Sequence, residues 1–242
     1  MLRNFVFNKV FVIESLENNE RKTGKELYND ILKWKPLQSG MVFTCEFIDL
    51  NCRNDFFDFF NKIQNDAYLG LKPIFHFEIH GLKDKSGLSL KNGEIIHYKE
   101  LAIALSTVNQ IIGNNLFLTL SVCHGAYLLG NVQIDKPAPF IGFVGSFDLI
   151  YNSDSLMRYT EFYDAFLMSF DLGKAIQRFL NANTLNPNTF NLIDTEETFK
   201  SVYKKYLLEN TTKDGIKKRW KNSIISENLK FNSRQHKRFL ER

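Results

Sequence analysis

The segment Pro73-Ile-Phe-His-Phe-Glu-Ile-His-Gly81 decides how this 242-residue chain is interpreted. Apart from Pro73, its apolar residues are β-branched or aromatic, so we predict a buried strand over Lys72–Ile79. Because side chains alternate along a strand, His76, Glu78 and His80 share one face of it. In an open parallel sheet, functional groups gather beyond the carboxyl ends of the strands, and His80 lies at such an end.

Apolar runs and helical patterns alternate on both sides of this segment. Before it come two strand candidates, Val6–Ile13 and Met41–Ile48, each followed by a helical pattern. After it we predict a hairpin at Gly87–Ile96, a helix at Tyr98–Ile112, a strand at Leu116–Val122, a short strand within Pro137–Gly145 and one long helix at Tyr159–Leu180. The alternation predicts an α/β/α sandwich of three layers around a mostly parallel sheet, with a helical C-terminal extension.

The character of the chain changes near residue 182. A loop rich in Asn, Thr and Pro occupies 183–191, and helices are predicted at Glu196–Leu208 and Asp214–Ile225. Residues 200–242 hold 13 Lys and Arg against 4 Asp and Glu, whereas residues 1–199 hold 18 against 23. We therefore predict a main domain over 1–182 and a basic helical extension over 183–242. We expect the extension to pack on the main domain through the apolar residues Phe199, Tyr203, Leu207, Ile216 and Trp220.

Composition limits the cellular setting. No apolar run reaches the roughly 18–20 residues that span a bilayer. The apolar stretch Phe5–Ile13 carries Asn8 and Lys9 and has no cleavage signal, so we interpret it as a strand rather than a signal peptide. The three cysteines are odd in number and have no CxxC pairing. Reduced thiols in the cytoplasm are therefore the expectation.

Two strand ends carry residues suited to thiol chemistry. Cys123 follows the apolar run Leu116–Val122 directly and lies 43 residues after His80. A thiolate is the reactive form of cysteine, and a nearby imidazole favours its formation. The backbone N–H groups of Gly81 and Cys123 are candidates to stabilise a developing oxyanion. His124 is expected to have a structural or pocket-wall role.

The residues around these two positions resemble a known superfamily. His80-Gly81 at the end of one strand, followed by Ser121-Val-Cys123-His-Gly125 at the end of the next core strand, is similar to the catalytic pairing of caspases, metacaspases and CHAT-domain peptidases. The resemblance covers roughly residues 6–180. The context of Cys123 lacks the Gln-Ala-Cys pattern of caspases, and Ser121 stands where metacaspases commonly have Asp.

The resemblance implies a cysteine endopeptidase that cleaves a protein substrate through a His80–Cys123 dyad and needs no cofactor. It also implies a role in prokaryotic antiviral defence or programmed death, with an activating partner protein or self-cleavage as the switch. We predict Ser121 and Asp148 as substrate-binding residues. The carboxylate of Asp148 is suited to an Arg or Lys before the scissile bond, although an Asp that caps the next turn is an equal interpretation.

Three alternatives remain open. A zinc site of His76 and His80 with Cys123 or His124 is disfavoured, since residues four apart on a strand lie roughly 13 Å apart. The chain could instead be a catalytically silent interaction module that keeps the fold. The third alternative is a nucleic-acid-binding effector that uses the basic residues around Trp220, although we expect neither nucleic acid nor membrane as a partner.

Overall fold

The computed structural model describes residues 5–133, 136–182 and 190–226. The strands are β1 (Lys9–Ser15), β2 (Thr44–Asp49), β3 (Pro73–Gly81), β4 (Gly87–Ser89), β5 (Ile95–His97), β6 (Phe117–Ser121), β7 (Gly142–Ser146) and β8 (Phe190–Asp194). The α-helices in these ranges are α1 (Thr23–Asp30), α2 (Lys35–Ser39), α3 (Arg53–Tyr68), α4 (Tyr98–Ile111), α5 (Asn152–Ser169), α6 (Leu172–Leu180), α7 (Thr195–Asn210) and α8 (Lys213–Ser226).

The central sheet is mixed but mostly parallel. Its strand order is β2-β1-β3-β6-β7-β8, and every neighbouring pair in this order is parallel except β7 with β8. The short strand β4 pairs antiparallel with the last two residues of β3, and β5 pairs with β4. The carboxyl ends of β1, β2, β3 and β6 therefore lie at one edge of the sheet.

Each face of the sheet carries its own apolar core. Phe11, Phe75 and Leu118 belong to a cluster with residues of α3 and α4. Val12 and Ile74, which lie next to Phe11 and Phe75 in the sequence, point to the opposite face of the sheet. They belong to a second cluster with residues of α1, α5 and α6. Helices thus pack on both faces, so the α/β class is confirmed and the architecture is compatible with a three-layer sandwich.

The region after β7 differs from the sequence prediction. Instead of one helix over Tyr159–Leu180, the chain forms α5 and α6, which are separated at Phe170. Phe170 has a φ of 55°, in the left-handed region that ends helices, and its ring lies 5.5 Å from that of Phe7. Asp171 then caps α6, since its Oδ1 atom accepts a hydrogen bond from the N–H of Lys174 at 3.0 Å. The break thus combines a local helix cap with the packing of Phe170 on Phe7.

The sheet also continues beyond residue 182, where the sequence analysis placed the domain boundary. β8 pairs with β7 over five residues, from Gly142↔Asp194 to Ser146↔Phe190. The ring of Phe190 lies 5.1 Å from that of Phe179 and 5.8 Å from that of Tyr159. The first compact unit accordingly extends to Glu196.

The second compact unit begins at Glu197 and contains most of α7 and all of α8. Each helix extends one or two residues beyond its predicted bounds at both ends. On α7 the rings of Phe199 and Tyr203, one turn apart, are stacked with centroids 5.8 Å apart. Packing of this unit on the first unit stays a prediction. Among the helices within the described ranges, none is long and apolar enough to cross a membrane.

Candidate active site

The ends of β3 and β6 meet at the carboxyl edge of the sheet. Their register pairs Glu78 of β3 with Ser121 of β6. His80 lies two residues after Glu78, and Cys123 lies two residues after Ser121. A Cβ atom added to Gly81 would lie 1.6 Å from the carbonyl oxygen of Cys123, so the two backbones touch there. The structure therefore brings the two residues of the predicted dyad to adjacent positions at one edge.

His80 is held from both sides. Its backbone pairs with Ser89 of the hairpin strand β4. Its Nε2 atom lies 2.8 and 2.9 Å from the two carboxylate oxygens of Glu20, in the loop between β1 and α1. The imidazole is 44% exposed and the Glu20 side chain 33%. The base candidate thus stays accessible while one of its ring nitrogens is occupied.

Cys123 lies in the turn after β6 and is partly buried. The backbone N–H of Ile150 donates a hydrogen bond to its Sγ atom at 3.4 Å, and the thiol in turn lies 3.9 Å from the carbonyl oxygen of Ile150, to which it can donate. Among the hydrogen bonds of the described residues, none joins the side chains of His80 and Cys123. Cys45 is different, because burial raises the pKa of its thiol to about 12. Cys45 is therefore a poor nucleophile at neutral pH.

The loop after β7 runs alongside the nucleophile. His124, with a φ of 58°, donates from Nδ1 to the carbonyl oxygen of Phe147 at 2.8 Å and from its backbone N–H to that of Asp148 at 3.0 Å. The predicted structural role of His124 agrees with these contacts, which fix the loop. The exposed side chain of Asp148 lies on this loop, two residues before Ile150.

Ser121 is buried and belongs to a polar network beneath the strand ends. Its hydroxyl donates to Glu78 Oε1 at 2.9 Å and lies 2.6 Å from the hydroxyl of Ser155 in α5. The hydroxyl of Thr23 in α1 donates to the same Glu78 oxygen at 2.7 Å. Ser121 therefore ties the sheet to helices in this structure, and its contact with substrate stays a prediction.

His76 lies deeper on the same face and is fully buried. Its Nδ1 atom is 2.8 Å from Thr119 Oγ1, and its Nε2 atom is 3.3 Å from Glu78 Oε2. Both nitrogens thus have protein partners that differ from the partner of His80. In the part of the chain that the structure describes, no three His, Cys, Asp or Glu side chains are grouped to hold a metal ion.

The proposed oxyanion donors, the backbones of Gly81 and Cys123, are next to each other. The neighbouring amide of His124 is already used by the carbonyl oxygen of Asp148. Donation by Gly81 and Cys123 to an oxyanion stays a prediction, and the His124 amide is not a third donor here.

Two contacts of this site were missed by the sequence analysis. Glu20 lies 60 residues before His80, and Ile150 lies 27 residues after Cys123. Glu20 follows Asn18 and Asn19 in a polar loop, where a carboxylate carries no pattern that would distinguish it. Ile150 acts through its backbone N–H, which any residue except proline has.

No protein-family model matches the chain, and no curated protein shows significant sequence similarity to it.

Proposed function

We propose that this protein is a caspase-like cysteine endopeptidase in which Cys123 is the nucleophile and His80 the general base. The observation that carries the proposal is the adjacency of the β3 and β6 ends, where His80 and Cys123 both follow the Glu78–Ser121 pair. The mostly parallel sheet with helices on both faces is compatible with that superfamily. A role in prokaryotic defence or programmed death rests on the resemblance alone.

The chemistry follows from the two side chains. His80 accepts the thiol proton, and the Cys123 thiolate attacks the carbonyl carbon of the scissile peptide bond. The tetrahedral intermediate collapses to a thioester as His80 gives the proton to the leaving amine. Water, deprotonated by His80, then hydrolyses the thioester and releases the thiolate. The thiol Sγ begins this sequence in contact with the N–H of Ile150.

The preferred substrate has Arg or Lys before the scissile bond. Asp148 is exposed on the loop whose backbone contacts Cys123 and His124. Its carboxylate can accept charge-assisted hydrogen bonds from a guanidinium or ammonium group. Ser121, two residues before the nucleophile, carries no charge that would attract an acidic side chain.

The test is labelling with acyloxymethyl-ketone peptides that carry Arg, Lys, Leu or Asp next to the reactive group. We expect Arg and Lys probes to label the protein fastest and labelling to disappear in Cys123→Ala and His80→Ala. A Cys45→Ser/Cys52→Ser variant is the matched control and should label like the parent. Asp148→Ala should slow the Arg and Lys probes selectively. Fastest labelling by the Asp probe contradicts the substrate preference.

A second candidate is a catalytically silent interaction module of the same fold. The observation that favours it is that His80 contacts Glu20 and Cys123 contacts Ile150, while the described side chains of the dyad share no hydrogen bond. Hydrogen bonds of catalytic groups are often loose before substrate binds. If no probe labels the chain and Cys123 reacts no faster than Cys52 with iodoacetamide, the silent module is the better explanation.

A further inference from the structure

Glu20 approaches the imidazole of His80 in a way that selects one ring nitrogen. Both carboxylate oxygens lie within 2.9 Å of Nε2, so Nε2 carries a proton that it donates to Glu20. The nitrogen that remains to accept a proton in the neutral ring is Nδ1. Glu20 therefore determines which side of the ring acts as the base.

The carboxylate of Glu20 is itself held in place. The N–H of Glu17 donates to Glu20 Oε2 at 2.8 Å, and the N–H of Glu20 donates to the carbonyl oxygen of Glu17 at 3.0 Å. Lys22 closes the other end of the loop by donating to the carbonyl oxygen of Leu16. Burial would raise the pKa of Glu20, but the hydrogen bonds from His80 and Glu17 outweigh it and lower the pKa. The group is thus an anion at neutral pH.

An exposed ion pair by itself contributes little to stability, and Arg21–Glu26 in the same region is one example. The Glu20 pair differs because its partner is the imidazole of the proposed base, at the strand end beside Cys123. Resting on the proposed function, we propose that Glu20 is the positioning residue of the dyad. It fixes the ring with Nε2 protonated and stabilises the imidazolium that forms when Nδ1 takes the thiol proton.

The proton does not pass to Glu20. Nδ1 of His80 receives it from Sγ of Cys123, the ring then carries a proton on each nitrogen, and the Nε2–H···Glu20 bond becomes charge-assisted. Nδ1 gives the proton to the leaving amine, which restores the neutral ring. A negative charge at position 20 thus favours the thiolate–imidazolium state over the neutral thiol–imidazole state.

The test measures the rate of Cys123 alkylation by iodoacetamide from pH 5 to 10, in a Cys45→Ser/Cys52→Ser background. Glu20→Gln keeps the size and a hydrogen-bond acceptor but removes the charge. We expect it to slow alkylation roughly fivefold near pH 6.5 and to move the half-maximal rate to higher pH, because the thiolate loses support. Above about pH 9.5 the rates of variant and parent should converge, since most free thiol is ionised there.

Glu26→Gln, which removes a paired carboxylate on α1, is the matched control and should leave the pH profile unchanged. Loss of rate at every pH in Glu20→Gln would indicate a merely structural role and would overturn the inference. If Glu20→Gln follows the parent profile while His80→Ala shifts it, the Glu20 inference fails and the dyad stands. If His80→Ala also follows the parent profile, the proposed dyad fails.

Discussion

Gly81 is the residue on which the contact between the two strand ends depends. A side chain there would place its Cβ atom 1.6 Å from the Cys123 carbonyl oxygen and 3.2 Å from a methyl carbon of Val122. The first distance is far below any van der Waals contact, and its partner is backbone that cannot rotate away. A residue larger than glycine therefore has to separate β3 from the turn that carries Cys123.

We predict that Gly81→Ala destabilises the protein by about 3 kcal/mol, because the backbone must move to relieve the overlap. Urea unfolding measures the loss, and labelling of Cys123 should fall with it. Gly130→Ala is the control, since a Cβ atom at Gly130 meets no atom within 4 Å. Equal stability of the two variants would contradict the close approach at Gly81.

At the scale of elements, buried carboxylates join the amino end of α1 to the sheet. Glu14 and Glu78 are register partners on β1 and β3, and both are buried. Glu14 Oε2 accepts hydrogen bonds from the N–H groups of Gly24 at 2.9 Å and Lys25 at 3.2 Å. These are N–H groups at the start of a helix, which have no partner within it. The loop that contains Glu20 lies between β1 and α1, so this junction fixes both of its ends.

Glu14 makes the stability of this junction dependent on pH. Burial, opposed by the hydrogen bonds from Lys25 and Gly24 and reinforced by the Glu78 carboxylate, raises its pKa from 4.5 to about 7. Between these values the folded protein binds more protons at Glu14 than the unfolded chain does. The contribution of Glu14 is therefore fully present below pH 4.5 and is lost as the pH rises to about 7.

We predict that the free energy of unfolding of the parent falls between pH 5 and pH 7.5, by up to about 3 kcal/mol, relative to that of Glu14→Gln. Urea unfolding at the two pH values measures the difference. Glu26→Gln is the control. The hydrogen bond from Arg21 lowers the pKa of Glu26, so the contribution of Glu26 to the free energy of unfolding changes with pH in the opposite direction to that of Glu14. The same pH slope in the parent and in Glu14→Gln would contradict the prediction.

At the scale of the whole molecule, β8 completes the first unit. It is the one antiparallel member of the six-strand path, and it lies after residues that have the composition of a loop. Phe190 at its start is 7% exposed, whereas Leu192 on the same strand is 42% exposed. The strand thus adds a buried aromatic ring to the core between the sheet and α5 and α6.

We predict that Phe190→Ala destabilises the first unit by about 3–5 kcal/mol, as expected for loss of a buried ring. Leu192→Ala, the matched control on the same strand, should cost less than about 1 kcal/mol. Thermal unfolding of both variants measures the contrast. If Phe190→Ala and Leu192→Ala have the same melting temperature, the ring of Phe190 does not contribute to the core.

Features that depend on residues close together in the sequence could be predicted from it, whereas features that depend on residues far apart along the chain could not. Sequence alone was enough to predict a strand over Lys72–Ile79, which the structure extends to Gly81, and the helix that begins at Tyr98. It was also enough to place His80 and Cys123 near the carboxyl ends of two core strands, although His80 lies within β3 and Cys123 lies two residues after the end of β6. These features depend on alternation and periodicity over a few neighbouring residues, which a sequence displays directly. A shared edge for the two strand ends then followed from the general geometry of parallel sheets.

Tertiary contacts account for the pairing of β8, for the hydrogen-bond partners of His80 and Cys123, and for part of the break at Phe170. The ring of Phe170 packs on that of Phe7, a contact that spans most of the first unit, while Asp171, the N-cap of α6, is a local signal for the same break. β8 forms because β7 offers an unpaired edge. Glu20 reaches His80 because β1 and β3 are neighbours in the sheet. The contacts of Phe7, β7 and Glu20 come from residues far apart along the chain, so no local pattern records them.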